Sequence, residues 1–141
     1  MANTAYNKVK TSLPRGEINL LTDTIKVLLV TGYTINIDSH DFYSDVSAYE
    51  VVGTGYTIGG IALSGRGLPR DNVNDRTEFS ASDVTWSSST ITANGAIVYK
   101  YSGDMGTSPL IVYIDFGVSK STTGTDFKIE WSNEDGVLYI T

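Results

Sequence analysis

His40 is the only histidine in this chain of 141 residues, and there is no cysteine. Every mechanism built on an imidazole must therefore use this one position. A Ser-His-Asp set needs a base beside a positioned nucleophile and an orienting carboxylate. Serine and aspartate are plentiful, but nothing in the spacing marks one of each as partners of His40. The residue lies in the turn-rich acidic stretch Asp38-Ser39-His40-Asp41, where a capping or surface histidine is expected. The missing cysteines remove disulfides, thiolate nucleophiles and Cys-type zinc sites together.

Carboxylates come next. Asp38, Asp41 and Asp45 cluster, as do Asp71, Asn72, Asn74 and Asp75. Calcium takes about six to eight oxygen ligands from a tight loop. Asp71-Asn72-Val73-Asn74-Asp75 puts valine where such a loop needs a ligand, and it lacks the following glycine and the distant glutamate. Solvated turn residues are expected instead, because Asp and Asn bond their own backbone in turns. A glycosidase pair assembles only in the fold, and no two of the sixteen acidic residues stand out.

Gly53-Thr54-Gly55-Tyr56-Thr57-Ile58-Gly59-Gly60 suggests phosphate cradling at first sight. Its spacing is G-x-G-x-x-x-G-G, and no helix pattern follows to supply the N-terminal dipole. Tight turns or bulges are expected there. Trp86 and Trp131 sit in strand patterns with apolar partners, so core packing is expected; a solvent-facing platform would instead indicate sugar binding. The residues thus name no catalytic side chain, no cofactor-binding side chain, no metal ligand and no cofactor. The expected class is not an enzyme.

The elements that must hold these residues read as β. Ile25–Thr31 predicts a central strand buried on both faces at its end. Tyr33–Ile37 alternates and predicts another strand. Further strands are expected at Glu50–Val52, Tyr56–Ile58, Ile61–Leu63, Arg76–Phe79, Val84–Trp86, Thr90–Ala93, Ala96–Tyr101, Leu110–Phe116, Asp126–Trp131 and Val137–Ile140. Asn94-Gly95 between two of them is a strong hairpin signal. Asn133-Glu134-Asp135-Gly136 predicts a turn into a C-terminal hairpin. Asp126–Trp131 alternates most cleanly, with Phe127, Ile129 and Trp131 on one face. Residues 38–47 predict one short helical turn, and residues 64–75 a long loop.

Length and composition fit one domain whose folded surface is roughly 7,000 Å2. The expected fold is an all-β, single-domain antiparallel β-sandwich, jelly-roll or Greek-key-like, with a partly closed barrel as the alternative. The charge is −6 overall and uneven. Residues 1–16 carry Lys8, Lys10 and Arg15 with no acidic residue; the rest carries −9. An acidic body argues against nucleic acid, which needs clustered Lys and Arg. Residues 1–16 read as an N-terminal arm ahead of a domain at 17–141, and their three basic residues are the candidate partner-binding side chains. No apolar run reaches the length of a membrane span, and no targeting segment is read.

The order of several segments resembles a family of small tailed-bacteriophage virion proteins. It is carried by Thr24–Val30, His40–Val46, Tyr49–Gly60, Asp71–Arg76, Asp83–Trp86, Ala96–Tyr99, Ser108–Ile111, Tyr113–Gly117 and Phe127–Trp131, covering about residues 17–141. The resemblance implies a virion structural protein made in the host cytoplasm, with no catalytic residues to carry over. The expected role is a capsid decoration or cement protein on the phage head. Its expected partner is the major capsid protein or another virion protein, within a homo-oligomer such as a trimer. The alternatives are a tail, neck or fibre-associated component, or a glycan-binding β-sandwich on the particle.

Overall fold

The computed structural model describes residues 2–131 and 135–140. In chain order these hold β1 (Ala2–Ala5), α1 (Asn7–Ser12), β2 (Ile25–Val30), α2 (Tyr43–Val46), β3 (Ile61–Ala62) and β4 (Arg70–Asp71). Then come β5 (Arg76–Phe79), β6 (Val84–Ser89), β7 (Thr92–Lys100), β8 (Leu110–Ser121), β9 (Thr125–Ile129) and β10 (Leu138–Ile140). The strands form three open sheets, ordered β1-β8-β7-β2-β3, β10-β5-β4 and β6-β9, and every pairing is antiparallel. The fold is an all-β sandwich, and its open sheets set aside the barrel alternative. Its accessible surface is 7137 Å2, close to the value expected from chain length.

The large sheet is covered on both faces, which explains the unbroken apolar run of β2. Val27 lies opposite Val98, and Leu29 opposite Ala96. Together with Val112 and Ile114 they join Phe79, Trp86, Phe127 and Ile129 of the smaller sheets in one core. The alternate residues Leu28, Val30, Ile97, Tyr99 and Tyr113 join Tyr6, Tyr33, Tyr43 and Val46 in a second core on the opposite face.

Several expectations hold. β9 and the residues after it bury Phe127, Ile129 and Trp131 and expose Asp126, Lys128 and Glu130. The helical turn in 38–47 is α2, whose first turn is capped by Asp45 Oδ2, which accepts from Asp41 N–H at 3.0 Å and Phe42 N–H at 2.9 Å.

Others are corrected. Asn94-Gly95 makes no hairpin; β7 runs straight through it as one strand, with a register shift between Ala93 and Gly95. The Asn94 amide donates to the Tyr33 carbonyl at 3.1 Å. Glycine is needed because a Cβ at 95 would stand 2.5 Å from Tyr113 Cε1. Tyr33–Ile37 forms no strand; Asn36 Oδ1 accepts from Asp38 and Ser39 N–H and bends the chain. Glu50–Val52 and Tyr56–Ile58 are likewise not strands; Glu50 contributes one isolated bridge to Val30. The loop at 64–75 contains β4. In the expected C-terminal turn, Asn133 and Glu134 lie outside the described residues; β10 pairs with β5 rather than with β9.

Residues 2–16 are not an arm. β1 pairs with β8 from Ala2↔Asp115 to Ala5↔Val112, and Tyr6 and Val9 are buried. The basic charges distract from this apolar side: Tyr6 and Val9 belong to the two cores, while Lys10 stays exposed.

Candidate functional site

Glu50 is the one carboxylate residue that the fold buries among the described residues, at 7% exposure. The 3-10 turn Ser47–Tyr49 delivers it to the edge of β2. The Tyr43 hydroxyl donates to its Oε1. The Tyr56 hydroxyl donates to Oε2 at 2.5 Å, and the Gly59 N–H to the same oxygen at 2.7 Å. The Gly59 carbonyl then accepts from the Tyr99 hydroxyl at 2.6 Å. Gly59 and Gly60 make this reach possible with φ of 99° and 78°; a Cβ at Gly60 would lie 1.9 Å from the Val27 carbonyl oxygen. Burial, reinforced by the Glu50 carboxylate, pushes the Tyr43, Tyr56 and Tyr99 hydroxyls well above the ordinary tyrosine range. Three donors of the chain itself hold the carboxylate, so its chemistry is to fix the 43–60 segment against the sheet.

A second polar chain runs Tyr6 to Tyr33 to His40. The two hydroxyls meet at 2.9 Å, and Tyr33 Oη lies 2.7 Å from His40 Nδ1. Asn36 N–H also donates to Nδ1, at 3.2 Å, which makes that nitrogen the acceptor and assigns the imidazole proton to Nε2. Burial pushes Tyr33 up to about 12. His40 thus ties the loop at Asn36 to Tyr33.

Of the acidic clusters, Asp45 caps α2 and Asp71, at the end of β4, holds the turn that follows. Asp71 accepts from Val73 and Asn74 N–H at 3.1 Å each, and its bond from the Asn74 side chain holds its carboxyl below the usual range. No three His, Cys, Asp or Glu side chains among the described residues are placed to hold a metal ion. Trp86 and Trp131 are buried, and Trp131 Nε1 donates to the Ser82 carbonyl at 2.9 Å. Neither forms a solvent-facing stacking platform.

Among the described residues, a groove of about 780 Å3, large enough to receive a ligand, lies between α1 with its following loop and β10. Val9, Leu13 and Pro14 line it from α1 and its following loop, together with Leu68, Leu138 and Ile140. Tyr139 and Ile140 are 46% and 41% exposed. Lys10 is the single charged residue of the lining among the described residues. It forms no ion pair among the described residues, and its Nζ lies 3.5 Å from Asn7 Oδ1.

The three basic candidates do not form one patch. Lys8 Nζ sits 5.0 Å over the Phe42 ring. Arg15 pairs with Glu17 at 3.7 Å. Only Lys10 reaches the groove. Sequence reasoning missed Glu50, although one acidic residue in the apolar run Tyr49-Glu50-Val51-Val52, flanked by Tyr43 and Tyr56, is a signal for a buried, partnered carboxylate. No comparable signal marks the groove. No family model, no curated protein and no solved structure matches this chain.

Proposed function

We propose that this chain is a structural protein of a tailed-phage particle, a decoration or cement protein that binds the outer head surface and stabilises the shell through surface contacts. The sequence resemblance over residues 17–141 supports the virion setting. The observation that carries the binding role is the groove beside β10. It is open, apolar and bordered by exposed Leu68, Tyr139 and Ile140, whereas the buried carboxylate and the imidazole are tied to partners within the chain. Large exposed apolar features on a small domain favour protein contact.

The physical effect follows from linkage. A protein that binds neighbouring capsid subunits only when they are assembled lowers the free energy of the assembled state by mass action. A symmetric oligomer, such as a trimer, adds avidity when its sites match the spacing of the shell.

Cryo-microscopy of the intact particle tests the reading. Density tracing this chain on the outer head surface is the expected result. Density on the tail, neck or fibres transfers the role there, and absence of the chain from purified particles overturns the virion assignment.

A further inference from the structure

A tyrosine yields an electron readily when its phenolic proton leaves with it, so an oxidisable tyrosine needs a base within hydrogen-bond reach of its oxygen. Tyr33 has such a base, since its Oη lies 2.7 Å from His40 Nδ1. The Asn36 N–H points at the same nitrogen. Nδ1 therefore presents a lone pair, and the Tyr33 hydroxyl is the donor. Tyr33 Oη also lies 2.9 Å from Tyr6 Oη. With the Tyr33 proton committed to His40, Tyr6 donates there.

The Tyr33 ring is 3% exposed, yet it touches a ring that reaches solvent. Tyr49 is 40% exposed and meets it edge-on, with centroids 5.3 Å apart. The other buried hydroxyls are less well placed. Tyr43 and Tyr56 donate to the Glu50 carboxylate. A carboxylate is a weaker base than an imidazole, and this one also holds the Gly59 N–H. Tyr99 donates to the Gly59 carbonyl, which takes no proton.

We infer that Tyr33 is a redox-active residue, oxidised by one-electron oxidants that touch the exposed face of Tyr49. The electron crosses the Tyr49 contact to the oxidant, and the phenolic proton passes to His40 Nδ1. The O–H bond of Tyr33 breaks and an N–H bond forms on His40. The products are a neutral Tyr33 phenoxyl radical, a His40 imidazolium and the oxidant reduced by one electron. Tyr6 keeps its hydrogen bond to the radical oxygen. Burial keeps the radical ring from coupling with a ring of another molecule. The radical persists until a small reductant returns the electron and His40 returns the proton. The inference is independent of the binding role proposed above.

Flash photolysis of ruthenium tris-bipyridyl with persulfate, in the presence of the full chain, supplies the oxidant. Visible absorbance and electron paramagnetic resonance follow the tyrosyl radical. One long-lived radical is expected, formed more slowly in deuterium oxide because the proton moves with the electron. Tyr33→Phe abolishes it. His40→Gln keeps an acceptor for the Tyr33 and Asn36 hydrogens but takes no proton, so it is expected to slow formation about 100-fold. This variant separates the basic role from a structural one and does not depend on the folding of Tyr33→Phe.

Equal rates in wild type and His40→Gln overturn the inference, as does the same radical persisting in Tyr33→Phe. Loss of the radical in Tyr56→Phe but not in Tyr33→Phe assigns the oxidation to the Glu50 pair and has the same consequence. Absence of any long-lived radical in the wild-type chain also overturns it.

Discussion

Tyr56 donates its hydroxyl to Glu50 Oε2 at 2.5 Å while its oxygen accepts the Leu29 N–H at 3.1 Å. One side chain therefore couples the buried carboxylate to the central strand. Glu50→Ala leaves two tyrosine hydroxyls and the Gly59 N–H without their acceptor, and the expected loss is about 3–5 kcal/mol. Glu50→Gln keeps one acceptor for Tyr56 and Gly59, while its amide donates to the Tyr43 oxygen, so its loss is expected nearer 1–2 kcal/mol. Denaturant midpoints of the two variants check the order. Equal losses would show that the acceptor geometry is not what matters.

The tyrosines predict an alkaline limit. Burial raises Tyr6, Tyr43, Tyr56 and Tyr99 above the ordinary value, and Tyr33 to about 12. Below about pH 10 both folded and unfolded chains keep these protons, so the contribution is fully present. Above it the unfolded chain ionises first and binds fewer protons, so stability falls as pH rises. Phenolate absorbance and circular dichroism are expected to change together in one steep step above pH 10. Ionisation of these side chains in a chain that keeps its native dichroism would contradict the burial.

Gly95→Ala is expected to cost about 1–3 kcal/mol. Its Cβ would meet Tyr113 at 2.5 Å and the Ile114 carbonyl oxygen at 2.8 Å, and neither can retreat from the packed sheet. Gly106→Ala, whose Cβ would come no nearer than 3.3 Å to the Asp104 side chain, is the control and is expected to cost less. Thermal melts of both variants check the difference.

Removing residues 1–16 is expected to cost about 4 kcal/mol or more, because Tyr6 and Val9 each bury apolar bulk worth about 1.5–3 kcal/mol. Such a truncation therefore measures folding before it measures binding. Charge reversal of Lys8, Lys10 and Arg15 is expected to leave the fold within about 1 kcal/mol of wild type, as read from melting curves. It is the cleaner probe of what these charges contact.

The sequence pattern revealed what depends on one strand at a time. Asp126–Trp131 carries its inner and outer faces in its alternation, and Val27-Leu28-Leu29-Val30 announces a strand covered on both sides. Pairing is another matter. β10 joins β5 across some sixty residues, and no local spacing encodes that choice. Asn94-Gly95 misleads because the same two residues that favour a tight turn also suit a strand whose neighbour is a large ring. Tyr33–Ile37 misleads because its alternation reflects a hydroxyl bonded to Tyr6 and an Asx turn at Asn36. The groove draws its walls from residues near 5–20, from 68 and 77, and from 138–140, so it exists only after those segments meet.

The pairing of β1 with β8 sets an order of events. Ala2 faces Asp115 and Ala5 faces Val112, so β1 has no place to dock until the chain as far as residue 115 is present. Tyr6 waits with it, and the second core cannot close before then. The contacts that finish this sheet are its longest-range ones, which loop closure makes slow. Closing β1 onto β8 is therefore a late step of folding, and the apolar face that Tyr6 covers stays exposed until it happens.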